Sequence, residues 1–273
     1  MPTVRARDGV NLYVKDWGQG RPVILIHGWP LNADMWEAQA VALLEAGFRV
    51  ISYDRRGFGR SEQPGKGYDY DTLAADLEAV IDQSGAEQPA LVGFSMGGGE
   101  IARYLGTNGP GRTSKAVFVS SVVPGMLKSD ANPDGLPASA FDEIVSGLKK
   151  DRPQFLAGMF KAFFGINLLS HPVSQETRDW TLAMAMMASP VATTQCVYAF
   201  GETDFTRDLR GFQLPVLAMH GTADATVPIG PASQRLKTLV PHVELIEVEG
   251  APHGMPMTHA DRVNEELVSF LRR

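Results

Sequence analysis

The chain has one cysteine, Cys196, in 273 residues. A single thiol excludes an intramolecular disulfide and a cysteine-cluster metal site, and it fits a reducing compartment. No apolar run approaches the roughly 18 residues that a membrane span requires. Positive charge is also in short supply. Twenty-five Lys and Arg against 31 Asp and Glu give a net charge of −6. Arg55, Arg56 and Arg60 lie close together, but Asp54 and Glu62 flank them. With no basic stripe, a nucleic-acid partner is not expected. Residues 1–8 contain no apolar signal-peptide core, so the expected location is the cytoplasm, with no membrane attachment. Internal repeats and low-complexity tracts are absent. What remains, 44% apolar and 21% charged residues, is the composition of a globular chain of one or two domains.

The most informative stretch is Gly93-Phe94-Ser95-Met96-Gly97. The apolar run Pro89-Ala90-Leu91-Val92 precedes it and reads as a short buried strand. Gly98-Gly99-Glu100-Ile101-Ala102-Arg103-Tyr104-Leu105 follows and reads as a helix. G-x-S-x-G between a strand and a helix is the context of a nucleophile elbow, a turn so tight that its neighbours cannot carry bulky side chains. Such a turn lifts the serine hydroxyl to the end of the sheet, beside the free N–H groups of a helix N-terminus. Taken alone, the five residues also fit a glycine-rich turn with no chemistry, so the rest of the chain has to decide.

Read in order, Val10 to Asp16 alternates apolar and polar residues and reads as a strand. Asp8-Gly9 pairs it, as a hairpin, with a strand near Thr3 to Ala6. Val23-Ile24-Leu25-Ile26 is wholly apolar, as in a parallel sheet covered on both faces. Asp34 is expected to cap a helix from Met35 to Glu45 that Gly47 ends. A strand at Arg49 to Tyr53 leads into the loop Asp54 to Ser61, and a helix opens at Asp71-Thr72 and runs to Ser84. A strand at Lys115 to Ser120 follows the elbow unit. Alternating strands and helices imply a mostly parallel sheet of about eight strands flanked by helices. Over residues 124–212 that rhythm breaks. This stretch is apolar and helical, clusters Met184, Met186 and Met187, and reads as an inserted cap. The chain therefore divides into core 1–123, helical cap 124–212 and core 213–273. Strands resume at Val216 to His220 and Val243 to Val248, and an amphipathic helix closes the chain.

A serine hydroxyl is a weak nucleophile at neutral pH. It needs a base, a carboxylate to orient that base, and donors for the oxyanion. Each has a candidate at the carboxyl end of an expected strand, where open α/β sheets place their sites. The base is His253, in a glycine-flanked loop after the last strand. His27, His171, His220, His242 and His259 are the alternatives, with His27 expected to brace its loop and His220 to pack nearby. The acid is Asp224, after the next-to-last strand. The order serine, acid, histidine is that of an α/β-hydrolase elbow enzyme. The backbone N–H groups of Met96 and Trp29 are the expected oxyanion donors, and no metal site is expected.

These residues resemble the α/β-hydrolase superfamily, and more narrowly its cofactor-free haloperoxidase, aryl-esterase and perhydrolase family. The resemblance rests on Lys15-Asp16-Trp17-Gly18, His27-Gly28-Trp29-Pro30, Ala33-Asp34-Met35-Trp36, the run Tyr53 to Ser61, Gly93 to Glu100, Ala251-Pro252-His253-Gly254, and, within the cap, Cys196 to Phe205. It implies an α/β-hydrolase fold and a triad of Ser95, Asp224 and His253. It also implies an acyl-enzyme formed from small carboxylic esters without any cofactor. Water then releases the acid, or hydrogen peroxide releases a peracid that oxidises halide in solution. In the family, proline at the position of Pro30 accompanies better perhydrolysis than leucine, through the Trp29 carbonyl. Trp29, Pro30, Phe94, Phe163 and Met186 are expected to bind substrate, with the methionine-rich cap lining an apolar acyl pocket. The nearest rival is a γ-lactamase or amidase with the same triad; a receptor that has lost catalysis is a more distant one. A haloalkane dehalogenase would carry aspartate where Ser95 stands. Apart from an open question of homo-oligomer formation, nothing points to a protein partner.

Overall fold

A computed structural model describes residues 3–273. Eight strands form one sheet in the order β1-β2-β4-β3-β5-β6-β7-β8. β1 (Thr3–Arg5) and β2 (Asn11–Trp17) form the expected antiparallel hairpin, and β2 pairs antiparallel with β4 (Arg49–Tyr53). The other neighbours are parallel: β3 (Pro22–Ile26), β5 (Ala90–Phe94), β6 (Lys115–Val119), β7 (Val216–Gly221) and β8 (Glu244–Val248). Residues 23–26, 91–94 and 216–219 are buried along their whole length. That burial is why these strands read as continuous apolar runs rather than alternating ones.

Helices cover both faces of the sheet. α1 (Glu37–Glu45) packs with α9 (Ala260–Arg272) on one face, and α2 (Tyr70–Ser84) packs with α3 (Met96–Asn108) on the other. α9 buries Val263, Leu267, Phe270 and Leu271, each contributing about 1.5–3 kcal/mol of apolar burial. Two helix starts differ from the sequence reading. Asn32, not Asp34, accepts the capping bond, and a 3-10 turn at Ala33–Trp36 precedes α1. Asp34 is drawn away by ion pairs with Lys15 and Arg60. α2 begins at Tyr70, capped by Asp69, whose Oδ1 accepts from Thr72 N–H at 2.9 Å.

Between β6 and β7 lie α4 (Ala138–Phe163), α5 (Gln175–Met186) and α6 (Pro190–Glu202). α4 bends at Asp151, where φ is −158° and ψ 88°. Pro153 cannot donate into the preceding turn, and Asp151 Oδ1 caps the second half by accepting from Gln154 N–H at 3.0 Å. α7 (Arg235–Leu239) follows β7, and the short α8 (Met255–Thr258) lies between β8 and α9. Among the described residues, no helix is long and apolar enough to cross a membrane.

Candidate active site

Ser95 is the one residue between β5 and α3, with φ 52° and ψ −117°. A non-glycine residue at positive φ is strained and is held there only by its surroundings. The flanking glycines show how. A Cβ on Gly93 would lie 2.6 Å from the Gly97 carbonyl carbon, and one on Gly97 would lie 2.5 Å from Ile26 O. Strand and helix therefore meet only because both positions lack side chains. Ser95 N–H donates to Val119 O at 2.9 Å, which fixes the turn to β6.

The loop after β8 brings His253 over the elbow. Its Nε2 lies 3.0 Å from Ser95 Oγ and its Nδ1 lies 2.7 Å from Asp224 Oδ2. With Nδ1–H donating to the carboxylate, Nε2 is free to accept the serine proton. Gly254 N–H donates to Phe163 O at 2.7 Å, and the His253 ring packs against Phe94, with centroids 4.9 Å apart. Asp224 sits in the turn after β7. Its Oδ1 accepts from Thr226 N–H at 2.9 Å and Val227 N–H at 2.8 Å. Burial pushes the Asp224 carboxyl up, but the His253 and His220 rings outweigh burial and hold it below the ordinary carboxylate range.

The remaining histidines separate cleanly. His27 is fully buried, and its Nε2 accepts from Arg55 N–H at 2.9 Å while Nδ1–H donates to Gly28 O at 2.9 Å. Burial, with the Arg55 charge beside it, keeps His27 neutral. This is the bracing position expected of it. His220 lies closer to the acid than packing alone requires, with Nε2 3.3 Å from Asp224 Oδ2 and 2.8 Å from Val227 O. His171 and His242 are exposed, and His259 contacts Thr258.

Met96 opens α3, where no intrahelical acceptor exists for its N–H. Trp29 follows β3, and neither N–H is engaged among the described hydrogen bonds. Trp29 is fastened at its ring, where Nε1–H donates to Thr193 O of α6 at 3.0 Å. Beneath the two loops lies a network that sequence reasoning missed. Arg55 and Glu100 are fully buried. Arg55 Nε–H donates to Glu100 Oε1 at 2.5 Å, Tyr53 O–H to Glu100 Oε2 at 2.6 Å, and Arg55 Nη2–H to His27 O at 2.6 Å. Glu100 belongs to the elbow helix and His27 to the Trp29 loop, so the ion pair ties the two expected oxyanion donors together. In the sequence both residues lie in stretches that carry the family resemblance, Tyr53 to Ser61 and Gly93 to Glu100, but nothing there pairs them.

Ser95 and His253 open into a cavity of about 250 Å³. Of the residues expected to bind substrate, Trp29 and Phe163 line it. Pro30, Phe94 and Met186 do not. Pro30 and Phe94 are buried outside the lining, and Met186 is partly buried and packs against the core. The rest of the wall is Val122, Met126, Leu136, Phe141, Ile144, Phe155, Met159, Phe200 and the 225–227 turn, and none of it carries a formal charge. Phe155, Met159 and Phe163 recur every four residues on one face of α4; that spacing was readable in the sequence.

The family described as the alpha/beta hydrolase fold matches residues 21–260. The chain is 44% identical to a non-heme chloroperoxidase from Kitasatospora aureofaciens, over the whole of both chains. It is 40% identical, again over the whole of both, to a bifunctional esterase/perhydrolase from Acinetobacter calcoaceticus. Its backbone matches the crystal structure of a bromoperoxidase from Bacillus anthracis with a TM-score of 0.96 and 42% identity, covering 100% of this chain and 99% of the other.

Proposed function

The chain belongs to the α/β-hydrolase fold family, and from that membership and the site geometry we propose that it is a serine esterase with perhydrolase activity. The carrying observation is the unbroken line Ser95 Oγ, His253, Asp224, at 3.0 and 2.7 Å, opening on an uncharged cavity. Ser95 Oγ attacks the ester carbonyl while His253 Nε2 takes its proton. Asp224 holds the ring in the tautomer that leaves Nε2 free and stabilises the imidazolium that forms. The N–H groups of Met96 and Trp29 receive the oxyanion. His253 then returns the proton to the departing alcohol or phenol, leaving an acyl-enzyme. Water attacks it to give the acid, and hydrogen peroxide attacks it to give a peracid. Residues 124–212 act as a cap whose apolar side selects small uncharged acyl groups. A cytoplasmic setting suits the one buried thiol, Cys196.

The test is paired kinetics without added cofactor: hydrolysis of p-nitrophenyl acetate, and peracid formation from acetate and hydrogen peroxide. Folded Ser95→Ala should lose about 10⁴-fold or more of both activities. Retention of either activity within tenfold of wild type would overturn the acyl-enzyme. If a folded wild type shows neither activity but does hydrolyse lactams or amides, the substrate class is wrong.

A further inference from the structure

Two of the groups that line the cavity are thioethers, Met126 and Met159, and they share its wall with Ser95 and His253. We infer that these two methionines are oxidation sites for the peracid the enzyme makes, so that perhydrolysis limits itself by converting them to methionine sulfoxide. The inference rests on the perhydrolase reading above. A peracid released from Ser95 is freed inside a cavity of about 250 Å³, within contact distance of its walls, before it reaches solvent. Thioethers are the most readily oxidised groups there. The wall has no lysine or arginine to hold a halide beside the product. Of the side chains in that wall, the thioethers of Met126 and Met159 are therefore the ones a peracid oxidises most readily.

The step balances. The terminal peroxy oxygen moves to the methionine sulfur, the O–O bond breaks and an S–O bond forms. Sulfur is oxidised by two electrons, the peracid is reduced to the carboxylic acid, and the peroxy proton ends on that acid. A sulfoxide is polar and chiral where the thioether was flexible and apolar. Placed beside apolar wall residues such as Phe141, Ile144, Phe155 and Phe163, it weakens binding of apolar acyl groups.

Three other methionines provide the control. Met187 is 43% exposed and lies outside the cavity, whereas Met184 and Met219 are buried away from both cavity and solvent. Oxidant arriving from bulk solution reaches Met187 first, whereas oxidant made at Ser95 reaches Met126 and Met159 first. Wild type is incubated with acetate and hydrogen peroxide, released peracid is measured, and sulfoxide is quantified at each methionine by peptide mass spectrometry. Ser95→Ala is run in the same mixture. The expected result is several-fold higher sulfoxide at Met126 and Met159 than at Met187 in wild type, and loss of that order in Ser95→Ala. KM for the ester should rise with sulfoxide content and fall again after treatment with methionine sulfoxide reductases. A Met126→Leu/Met159→Leu variant should keep its own starting rate several-fold longer under peroxide. If peracid accumulates while Met187 is oxidised first or equally, the inference is overturned and the perhydrolase reading stands. If no peracid forms, both fall together.

Discussion

The two sides of the cavity are made of different material. The side supplied by the carboxyl ends of the strands is rich in polar side chains held by hydrogen bonds. Asp224 accepts from two backbone N–H groups and His253, and Arg55, Glu100, Tyr53 and His27 form a second buried network. The side supplied by residues 126–200 is apolar, and its contacts are ring on ring, such as Phe163 with Phe164 and Phe141 with Phe200. Hydrogen bonds are directional, and a buried group left without one is penalised heavily. The strand side is therefore held to one geometry, as proton transfer requires. Dispersion contacts are individually weak and tolerant of shape, so the helical side can change without disturbing the chemistry.

Substitutions on the strand side should produce the largest effects. Asp224→Asn should lower kcat about 10⁴-fold with little change in KM, because an amide no longer selects the Nδ1–H tautomer of His253; a loss under tenfold in steady-state kinetics would remove Asp224 from the reaction. The same variant has a pH signature. The folded Asp224 carboxyl titrates below its unfolded value, so its stabilisation is complete above the ordinary carboxylate range and is lost as pH falls towards the folded value. Denaturant melts of Asp224→Asn should lack that acid-side decline. Next in size is Glu100→Gln. It leaves the Arg55 charge buried without its partner and should cost about 3–5 kcal/mol of stability in urea melts. A cost below about 1 kcal/mol would show that the network bears little weight.

On the helical side the effects should be smaller and should fall on selectivity. Phe155→Ala enlarges the cavity and should shift kcat/KM about tenfold toward longer acyl chains among p-nitrophenyl esters, with kcat for acetate nearly unchanged. An equal fall for every chain length would mean that Phe155 supports the fold and not the pocket. The smallest effect is expected from Pro30→Leu. Pro30 is buried and does not line the cavity, so it acts through the backbone it restrains, at the Trp29 carbonyl. The ratio of peracid formation to hydrolysis should fall a few-fold; an unchanged ratio removes Pro30 from the choice between peroxide and water.

The contrast between the two sides also separates what could be read in advance from what could not. The central strands were legible because burial on both faces removes alternation, as in Val23 to Ile26. Ser95, Asp224 and His253 were legible because each sits just beyond the carboxyl end of a strand, where local sequence marks the loop. The cap was legible as helix, but which of its side chains face the cavity was not. Met186 drew attention as one of a methionine cluster, yet Met126 and Met159 occupy the wall. A helix pattern gives a face without saying which neighbour that face meets, and the bend at Asp151 alters it midway.

Local sequence carried the strands along the chain, the elbow, and the residue types of the proposed triad, because backbone sterics and burial act over a few neighbouring positions. Tertiary structure alone decided the Arg55–Glu100 pairing, the approach of His220 to Asp224, and the cavity wall. The first two join residues 45 and 4 positions apart, and the wall draws on side chains from Trp29 to His253. Even the four-residue step from His220 to Asp224 becomes a contact only because the turn after β7 folds back on the strand. Long-range partners are chosen by which elements the sheet order makes neighbours, and no local pattern carries that information.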